Sequence, residues 1–211
     1  MALPKISDRR FTYADYLHWQ NDERWELIDG EAYAMPPAPT ISHQTLAGQL
    51  FRQIDEALDG VPCRALIAPV DVLLPTPDEA GDHVTTVVQP DILVVCDPEK
   101  ITERNVRGAP DWIIEVLSPA TARHDHLTKR ALYERAGVRE YWLVHPVDRV
   151  LTVYTLKDRQ YSGPEIAEMA GERAPTILPG IIIHWQAILD KLPCGVTLGV
   201  ETPVKSESES F

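Results

Sequence analysis

The spacing of hydrophobic positions predicts one long amphipathic helix in the first third of the chain. From residue 42 to about residue 58, apolar side chains recur every four positions, at Leu46, Leu50, Ile54 and Leu58. This spacing places an apolar stripe on one face of a helix, which should therefore lie against a sheet. Shorter helices are predicted at residues 123–136, near residues 185–191, and from Thr12, where Asp15 three positions later completes a capping box.

Runs rich in apolar residues predict strands, because a strand that is buried on both faces needs apolar side chains at most successive positions. These runs are residues 65–74, 87–96, 111–117, 141–144 and 150–156. Asp29-Gly30 lies between apolar-rich segments and predicts a hairpin near the N-terminus, and residues 146–149 predict a second one. The pattern is thus that of an α/β chain that opens with a β-hairpin.

Composition favours a single domain. The chain has 211 residues, of which 44% are hydrophobic and 25% charged, enough for one sizeable core. We expect this domain at residues 11–192, between a flexible N-terminus at residues 1–10 and a flexible acidic tail at residues 193–211. No stretch approaches the roughly 18 apolar residues of a membrane helix, and the start lacks an apolar signal core, so we expect a soluble, cytoplasmic protein.

Cysteine usage indicates neither a disulfide framework nor a zinc site. Cys63, Cys96 and Cys194 are odd in number, far apart in the sequence, and form no C-x-x-C pair. We therefore expect buried thiols.

The charge balance weighs against a general affinity for nucleic acid. With 20 basic and 32 acidic residues, the formal net charge is −12, and such a surface as a whole repels phosphate. A local patch can still bind phosphate, because binding depends on the field at the contact. One stretch carries six basic side chains: Arg104, Arg107, Arg123, Lys129, Arg130 and Arg135. The acidity is a penalty on a nucleic-acid function and does not rule it out.

Two carboxylates lie in the most apolar strands. Asp91 falls within residues 89–95, and Glu115 within residues 109–119. A carboxylate in an apolar strand loses its hydration unless a cation receives it. Mg²⁺ prefers oxygen ligands and is commonly held by one or two carboxylates together with substrate phosphates. The pair therefore predicts a divalent-metal site and phosphodiester chemistry, although Asp91 could also be a strand-end carboxylate that backbone amides cap.

A lysine on the following helix is the third candidate. Asp125, Lys129 and Tyr133 are spaced by four, so they share one helix face. An inward-pointing Lys129 could orient a water as nucleophile and stabilise charge that grows on a phosphate. The alternative is an exposed ion pair between Lys129 and Asp125, worth about 0.3–0.5 kcal/mol.

Taken together, several segments resemble the Uma-type restriction-endonuclease family of the PD-(D/E)XK nuclease superfamily. They are residues 25–31, 39–43, 89–91 and 115–119, and the pattern Asp125…Lys129…Tyr133…Gly137-Val138 followed by residues 140–144. The resemblance covers most of residues 10–190. It implies an α/β (α+β) fold of the restriction-endonuclease-like type, with a mixed β-sheet flanked by α-helices.

The resemblance also implies a chemistry. It places Mg²⁺ or Mn²⁺ at Asp91 and Glu115, with the Val116 carbonyl as a further ligand, and it implies hydrolysis of DNA. The superfamily pattern has a lysine two residues after the glutamate, where this chain has Leu117. Lys129 is the expected replacement.

Two accessory residues fall within the same segments. Glu26 is either a carboxylate close to the metal or a cross-strand surface residue. His43 lies near a predicted helix start, where it either contacts a phosphate or helps to cap the helix.

The sequence leaves functions of different classes open. The first is a Mg²⁺- or Mn²⁺-dependent endodeoxyribonuclease, in which Asp91, Glu115 and Lys129 are catalytic. The second is a catalytically inactive nuclease-like module that binds nucleic acid or a protein partner, which Leu117 and the acidic surface favour. A third is a metal phosphodiesterase that acts on small substrates. Nucleases of this fold commonly pair two active sites, so by analogy we expect a homodimer.

Overall fold

Two mixed β-sheets form the framework of the computed structural model, which describes residues 10–19 and 23–193. In chain order the strands are β1 (Trp25–Ile28), β2 (Glu31–Ala34), β3 (Arg64–Ile67), β4 (Val72–Leu73), β5 (Val87–Val88), β6 (Ile92–Val95), β7 (Val106–Arg107), β8 (Trp112–Val116), β9 (Glu140–His145), β10 (Val150–Lys157), β11 (Gln160–Tyr161), β12 (Glu165–Glu168), β13 (Glu172–Arg173) and β14 (Ile183–His184). The α-helices are α1 (Tyr13–Tyr16), α2 (Ile41–Ala57), α3 (Arg130–Ala136) and α4 (Trp185–Leu189). A π-helical turn, His124–Lys129, precedes α3, and 3₁₀ turns lie at Gly81–His83 and Pro98–Lys100.

The larger sheet contains seven of the described strands, in the order β11-β10-β9-β8-β6-β3, with β12 also paired to β10. Strands β8 and β9 run parallel, and the other neighbours run antiparallel. The smaller sheet has the order β2-β1-β5-β4-β7, and β13 pairs with β14 apart from both. This mixed architecture with flanking helices confirms the predicted fold class.

Helix α2 covers one face of the larger sheet, as its apolar stripe predicts. All four stripe residues are buried, and they share a core with the side chains of β6, β8 and β9 that point to this face. The side chain of Thr40 accepts a hydrogen bond from the backbone N–H of His43 and so caps the helix start. Helix α4 packs into the same core through Trp185 and Ile188.

Helix α3 covers the opposite face. Leu132 and Tyr133 of the helix pack against Leu93 and Ile113 of the sheet. The helix ends as predicted at Gly137, which has a φ of 91°, a left-handed conformation that glycine adopts without strain. The predicted helix at residues 123–136 is less regular than expected, because its first part is the π-helical turn.

Two predicted strands are each divided between the sheets. Residues 65–74 form β3 in the larger sheet and β4 in the smaller one, and residues 87–96 form β6 and β5 in the same way. Continuous strands were therefore a wrong prediction. Pro69 and Pro90 lie at the two breaks, and a proline has no N–H to donate to a strand ladder. As a result, residues 89–91 cross from the smaller sheet to the larger one.

The shorter predicted elements are confirmed. Strands β1 and β2 form the N-terminal hairpin around Asp29-Gly30, and β9 and β10 form the second hairpin. Helix α1 begins with the capping box of Thr12 and Asp15. The expected flexible segments lie outside the described residues, except for residues 10 and 193 at their edges. Within the described part of the chain, no helix is long and apolar enough to cross a membrane.

The prediction of free thiols is wrong for two cysteines. Cys63 and Cys96 form a disulfide. The register of β3 and β6 brings the two cysteines together: Arg64 lies opposite Val95, so Cys63 lies opposite Cys96 one position further along. Antiparallel pairing brings together residues that are 33 positions apart, which the sequence spacing does not reveal. Cys194 lies outside the described residues.

We predict that Leu50→Ala lowers the free energy of unfolding by about 2–5 kcal/mol, because it opens a cavity between α2 and the sheet. Ile41→Ala in the same helix is the matched control, since Ile41 is 75% exposed, whereas Leu50 is fully buried. Urea denaturation followed by circular dichroism measures both variants. Equal losses in the two variants would contradict the assigned packing face of α2.

Candidate active site

Asp91 and Glu115 lie on the α3 face of the larger sheet. Successive side chains of a strand point to opposite faces, so Asp91 shares a face with Leu93, and Glu115 shares one with Ile113. The antiparallel register pairs Ile92 with Ile114 and, continued by one position, sets Asp91 opposite Glu115. The two sequence-predicted carboxylates are therefore cross-strand neighbours.

Hydrogen bonds tie the two carboxylates to each other's strands. The backbone N–H of Asp91 donates to Glu115 Oε2 over 3.3 Å. In return, the backbone N–H of Val116 donates to Asp91 Oδ2 over 2.8 Å. Within the described part of the chain, no hydrogen bond or ion pair engages Asp91 Oδ1. Asp91 is thus only partly capped by backbone amides.

Lys129 lies at the centre of a buried group of carboxylates. Its Nζ is 3.0 Å from Glu115 Oε1, 3.0 Å from Glu26 Oε1 and 3.7 Å from Asp125 Oδ1. All four side chains are 2–6% exposed, and Tyr133 Oη donates a further hydrogen bond to Glu115 Oε1 over 3.0 Å. The alternative of an exposed Lys129–Asp125 pair is therefore wrong, and so is that of a surface position for Glu26.

The π-helical turn brings these side chains inward. His124, Asp125 and Lys129 all belong to this turn and are all buried. The N–H of Arg130 donates to the carbonyl of Asp125, five residues earlier, and Tyr141 Oη donates to the same carbonyl. A π-helical turn is rare and occurs frequently at functional sites. The four-residue spacing therefore identified the inward face, although the turn is wider than an α-helix.

Glu26 is held as a carboxylate. Burial by itself raises its pKa, but the charge of Lys129 and the hydrogen bonds from the Gln89 backbone and from Lys129 outweigh burial and lower the pKa to about 2. The Gln89 N–H donates to Glu26 Oε1 over 2.9 Å. Glu26 is thus ionised at neutral pH and shares Lys129 with Glu115.

Glu115 experiences the opposite balance. Burial raises its pKa well above the ordinary value, and the nearby charges of Asp125, Asp91 and Glu26 raise it further, against the lowering effect of Lys129. Burial likewise raises the pKa of Asp125 in spite of Lys129. Three acidic side chains thus share one ammonium, and a further cation would favour the ionised forms of Glu115 and Asp125.

His43 contacts the site through its side chain. Its Nε2 is 3.2 Å from Asp91 Oδ2. Burial lowers the pKa of His43, but the hydrogen bond to Asp91, the charge of Asp91 and a hydrogen bond with the Val116 backbone raise it overall. The suggested capping role is wrong, because Thr40 provides the cap and His43 contributes only the backbone N–H that is capped.

A cavity of about 460 Å³ opens onto these residues. Its floor includes Asp91, Glu115 and Val116, and residues 36–39 and 146–147 form part of its wall. Of the six basic residues in the stretch that the sequence suggested, Lys129 alone lines this cavity. The other five do not create a positive patch at the site.

Sequence reasoning did not assign a role to three side chains of this site: Arg24, Gln89 and His124. Gln89 directly precedes Pro90-Asp91 in the sequence, and this position was the available sequence signal that it belongs to the site. Arg24 directly precedes β1 of the N-terminal hairpin, and only the packing of the two sheets brings it to the cavity.

We predict that Lys129→Met lowers the free energy of unfolding by about 3–5 kcal/mol, because it leaves three carboxylates buried without their ammonium. Lys157→Met is the matched control, since Lys157 is exposed at the end of β10. The double variant Glu26→Gln/Lys129→Met should recover part of the loss, because it removes one uncompensated charge. Chemical denaturation at pH 7 measures all three, and a Lys129→Met loss no larger than that of the control would contradict the buried cluster.

Comparisons with known proteins identify relatives of this chain. It is 26% identical over 159 residues to an uncharacterized protein from Synechocystis sp., covering 74% of this chain and 77% of that protein. The fold matches a crystal structure from Anabaena variabilis described as "a putative nuclease belonging to DUF820", with a TM-score of 0.65 and 19% identity, over 85% of this chain and 98% of that one. At this identity the match shows a shared fold.

A family model matches most of the chain. The model of the Uma2 family, described as "Putative restriction endonuclease", matches residues 13–186. This range includes both sheets, the cross-strand carboxylates and the buried lysine. The chain belongs to the Uma2 restriction-endonuclease family.

Proposed function

We propose that this protein is an endonuclease that uses Mg²⁺ or Mn²⁺ to hydrolyse phosphodiester bonds in DNA. One observation carries the proposal: Asp91 and Glu115 oppose each other across β6 and β8, at the floor of a cavity, with Lys129 bonded to Glu115. Membership of the Uma2 family supports the nuclease class. The metal and the DNA substrate are parts of the proposal.

The donor set fits a hard divalent cation. Asp91 and Glu115 would supply oxygen ligands, Asp91 Oδ1 accepts no hydrogen bond from the described residues, and three acidic side chains share the one ammonium of Lys129. No group of three or more histidine, cysteine or acidic side chains in residues 10–19 and 23–193 is arranged to hold a metal ion. The protein would therefore supply two carboxylates and the Val116 carbonyl, a small share that suits Mg²⁺, which usually keeps several waters.

When bound, the metal would supply Lewis-acid activation of water and neutralise charge on the phosphate. Lys129 acts through its neighbours. Its ammonium is shared among Glu115, Glu26 and Asp125, so it fixes the orientation of Glu115 and limits the repulsion within the site. It takes the place of the lysine that the superfamily pattern has at Leu117, whose own side chain packs in the core on the α3 side of the sheet.

Glu26 and His43 complete the proposed site as positioning residues. Glu26 anchors the backbone of Gln89, two positions before Asp91. His43 contacts Asp91 Oδ2 and so restricts the rotation of that carboxylate. Both side chains thus act on the orientation of the proposed ligands.

We extend the proposal to a cytoplasmic homodimer, by analogy with nucleases that pair two sites to cut both strands. A dimer predicts that linear plasmid forms early in a digest, alongside nicked circles. A monomer that cuts one strand at a time produces nicked circles first.

We predict that the protein nicks or linearises supercoiled plasmid in Mn²⁺ and that Asp91→Asn loses at least about 100-fold in rate, because the variant lacks one of two charged ligands. Asp59→Asn, an exposed aspartate after α2, is the matched control and should cut like the wild type. Gel electrophoresis measures the products, with a chelator lane. Intact plasmid in every lane would reject the nuclease, and cutting that survives in both Asp91→Asn and chelator would reject a metal mechanism at this site.

We also predict that Mg²⁺ or Mn²⁺ raises the melting temperature of the wild type and of Asp59→Asn, but not of Asp91→Asn. A ligand that binds only the folded state at 100 times its Kd stabilises by about 2.7 kcal/mol. Differential scanning fluorimetry without DNA measures this shift. Its absence in the wild type would favour the inactive nuclease-like module. A shift together with rapid hydrolysis of a chromogenic diester and intact plasmid would instead indicate a phosphodiesterase for small substrates.

A further inference from the structure

Four side chains that can carry positive charge line the cavity: Arg24, His43, His124 and Lys129. Three of them already face a carboxylate. Lys129 is shared by three carboxylates, His43 lies 3.2 Å from Asp91, and His124 Nε2 lies 3.7 Å from Glu26. These groups offset the negative charge of the site itself.

Arg24 differs from the other three. It is exposed, and none of the ion pairs among the described residues includes it. Its Nε and Nη2 both donate to Gln89 Oε1, over 3.0 and 2.6 Å. Because the amide oxygen is neutral, it orients the guanidinium without cancelling its charge. Nη1 has no hydrogen bond to a described residue.

The orientation of Gln89 is itself determined by its other contacts. Gln89 Nε2 donates to Asp71 Oδ1 over 2.8 Å and to Tyr16 Oη over 3.1 Å. Since the amide nitrogen is engaged there, the amide oxygen is left for Arg24. The Gln89 backbone N–H is bonded to Glu26. Residues 89–91 therefore hold Arg24 in place at one end and contribute Asp91 at the other.

We propose that Arg24 is the residue that binds a phosphate group of the substrate beside the two carboxylates, and that Gln89 positions it. The inference rests on the proposed function, since it needs a phosphodiester substrate in this cavity. A guanidinium matches two phosphate oxygens with parallel N–H donors, and Arg24 keeps donors and net charge available for them. Lys129 is too deeply buried and too fully paired to serve this purpose.

The first test measures binding without cleavage. Asp91→Asn is titrated with a fluorescein-labelled DNA duplex of defined length, without added metal, and Kd is obtained from fluorescence anisotropy at several salt concentrations. Adding Arg24→Ala should raise Kd about tenfold and reduce the slope of log Kd against log salt by about 0.9, the contribution of one phosphate contact. Arg24→Lys should retain the slope, since it keeps the charge, while still raising Kd, because it loses the fork.

Arg64→Ala is the matched control. Arg64 is exposed on β3, makes no ion pair among the described residues and does not line the cavity, so the variant has the same change in net charge. Kd should stay within twofold of the value for Asp91→Asn alone, and the slope of log Kd against log salt should stay within about 0.2 of it. Equal effects of Arg24→Ala and Arg64→Ala, or no effect of either, would overturn the inference.

The second test separates this inference from the proposed function. In a Mn²⁺-dependent cleavage assay, Arg24→Ala in the otherwise wild-type protein should raise KM by about tenfold, with Arg64→Ala unchanged. If neither wild type nor variant cuts DNA but Arg24→Ala still weakens binding as above, the nuclease fails and the phosphate site stands. If the wild type cuts DNA and Arg24→Ala leaves both KM and Kd unchanged, the nuclease stands and the role of Arg24 is rejected.

Discussion

The ion group around Lys129 is the constraint on which the site depends. A buried ammonium loses its hydration, and the contacts to Glu26, Glu115 and Asp125 replace that hydration. These partners come from the smaller sheet, the larger sheet and the π-helical turn. The lysine therefore joins three parts of the fold at one point. Its pKa rises well above the ordinary value, since the carboxylates outweigh burial, and it is charged at neutral pH.

The crossing of residues 89–91 between the sheets explains why the site forms at their junction. Strand β5 ends at Val88, and β6 begins at Ile92, two residues after Pro90. The change of sheet gives each neighbour of Pro90 a different environment. Gln89 faces the hairpin and bonds to Arg24 and Glu26, while Asp91 faces Glu115. One short segment thus couples the surface of the cavity to its acidic floor.

The acidity of the chain is compatible with a phosphate-binding site of this kind. Some of the acidic residues counted in the formal net charge of −12 are buried and paired with basic side chains, as Glu115 is with Lys129. These pairs contribute little to the field at the protein surface. A phosphate would respond to the local field, to which the exposed Arg24 contributes a charge that no acidic side chain among the described residues pairs. The cavity wall at residues 36–39 and 146–147 is largely apolar and adds little charge of its own.

The sequence by itself determined most of the elements and the inward faces of α2 and of Lys129. Period-four spacing identified the buried stripe of α2 and the inward face of Lys129, and the apolar runs identified β6 and β8 around Asp91 and Glu115. Both are local patterns, because the buried positions of a helix or strand recur at the residue period of that element. Only the tertiary structure decided which strands pair, and therefore the disulfide, the place of Glu26 beside Lys129 and the position of Arg24 at the cavity. Those contacts join residues that are distant in the chain, and pairing between strands follows from packing of the whole core, which no local repeat encodes.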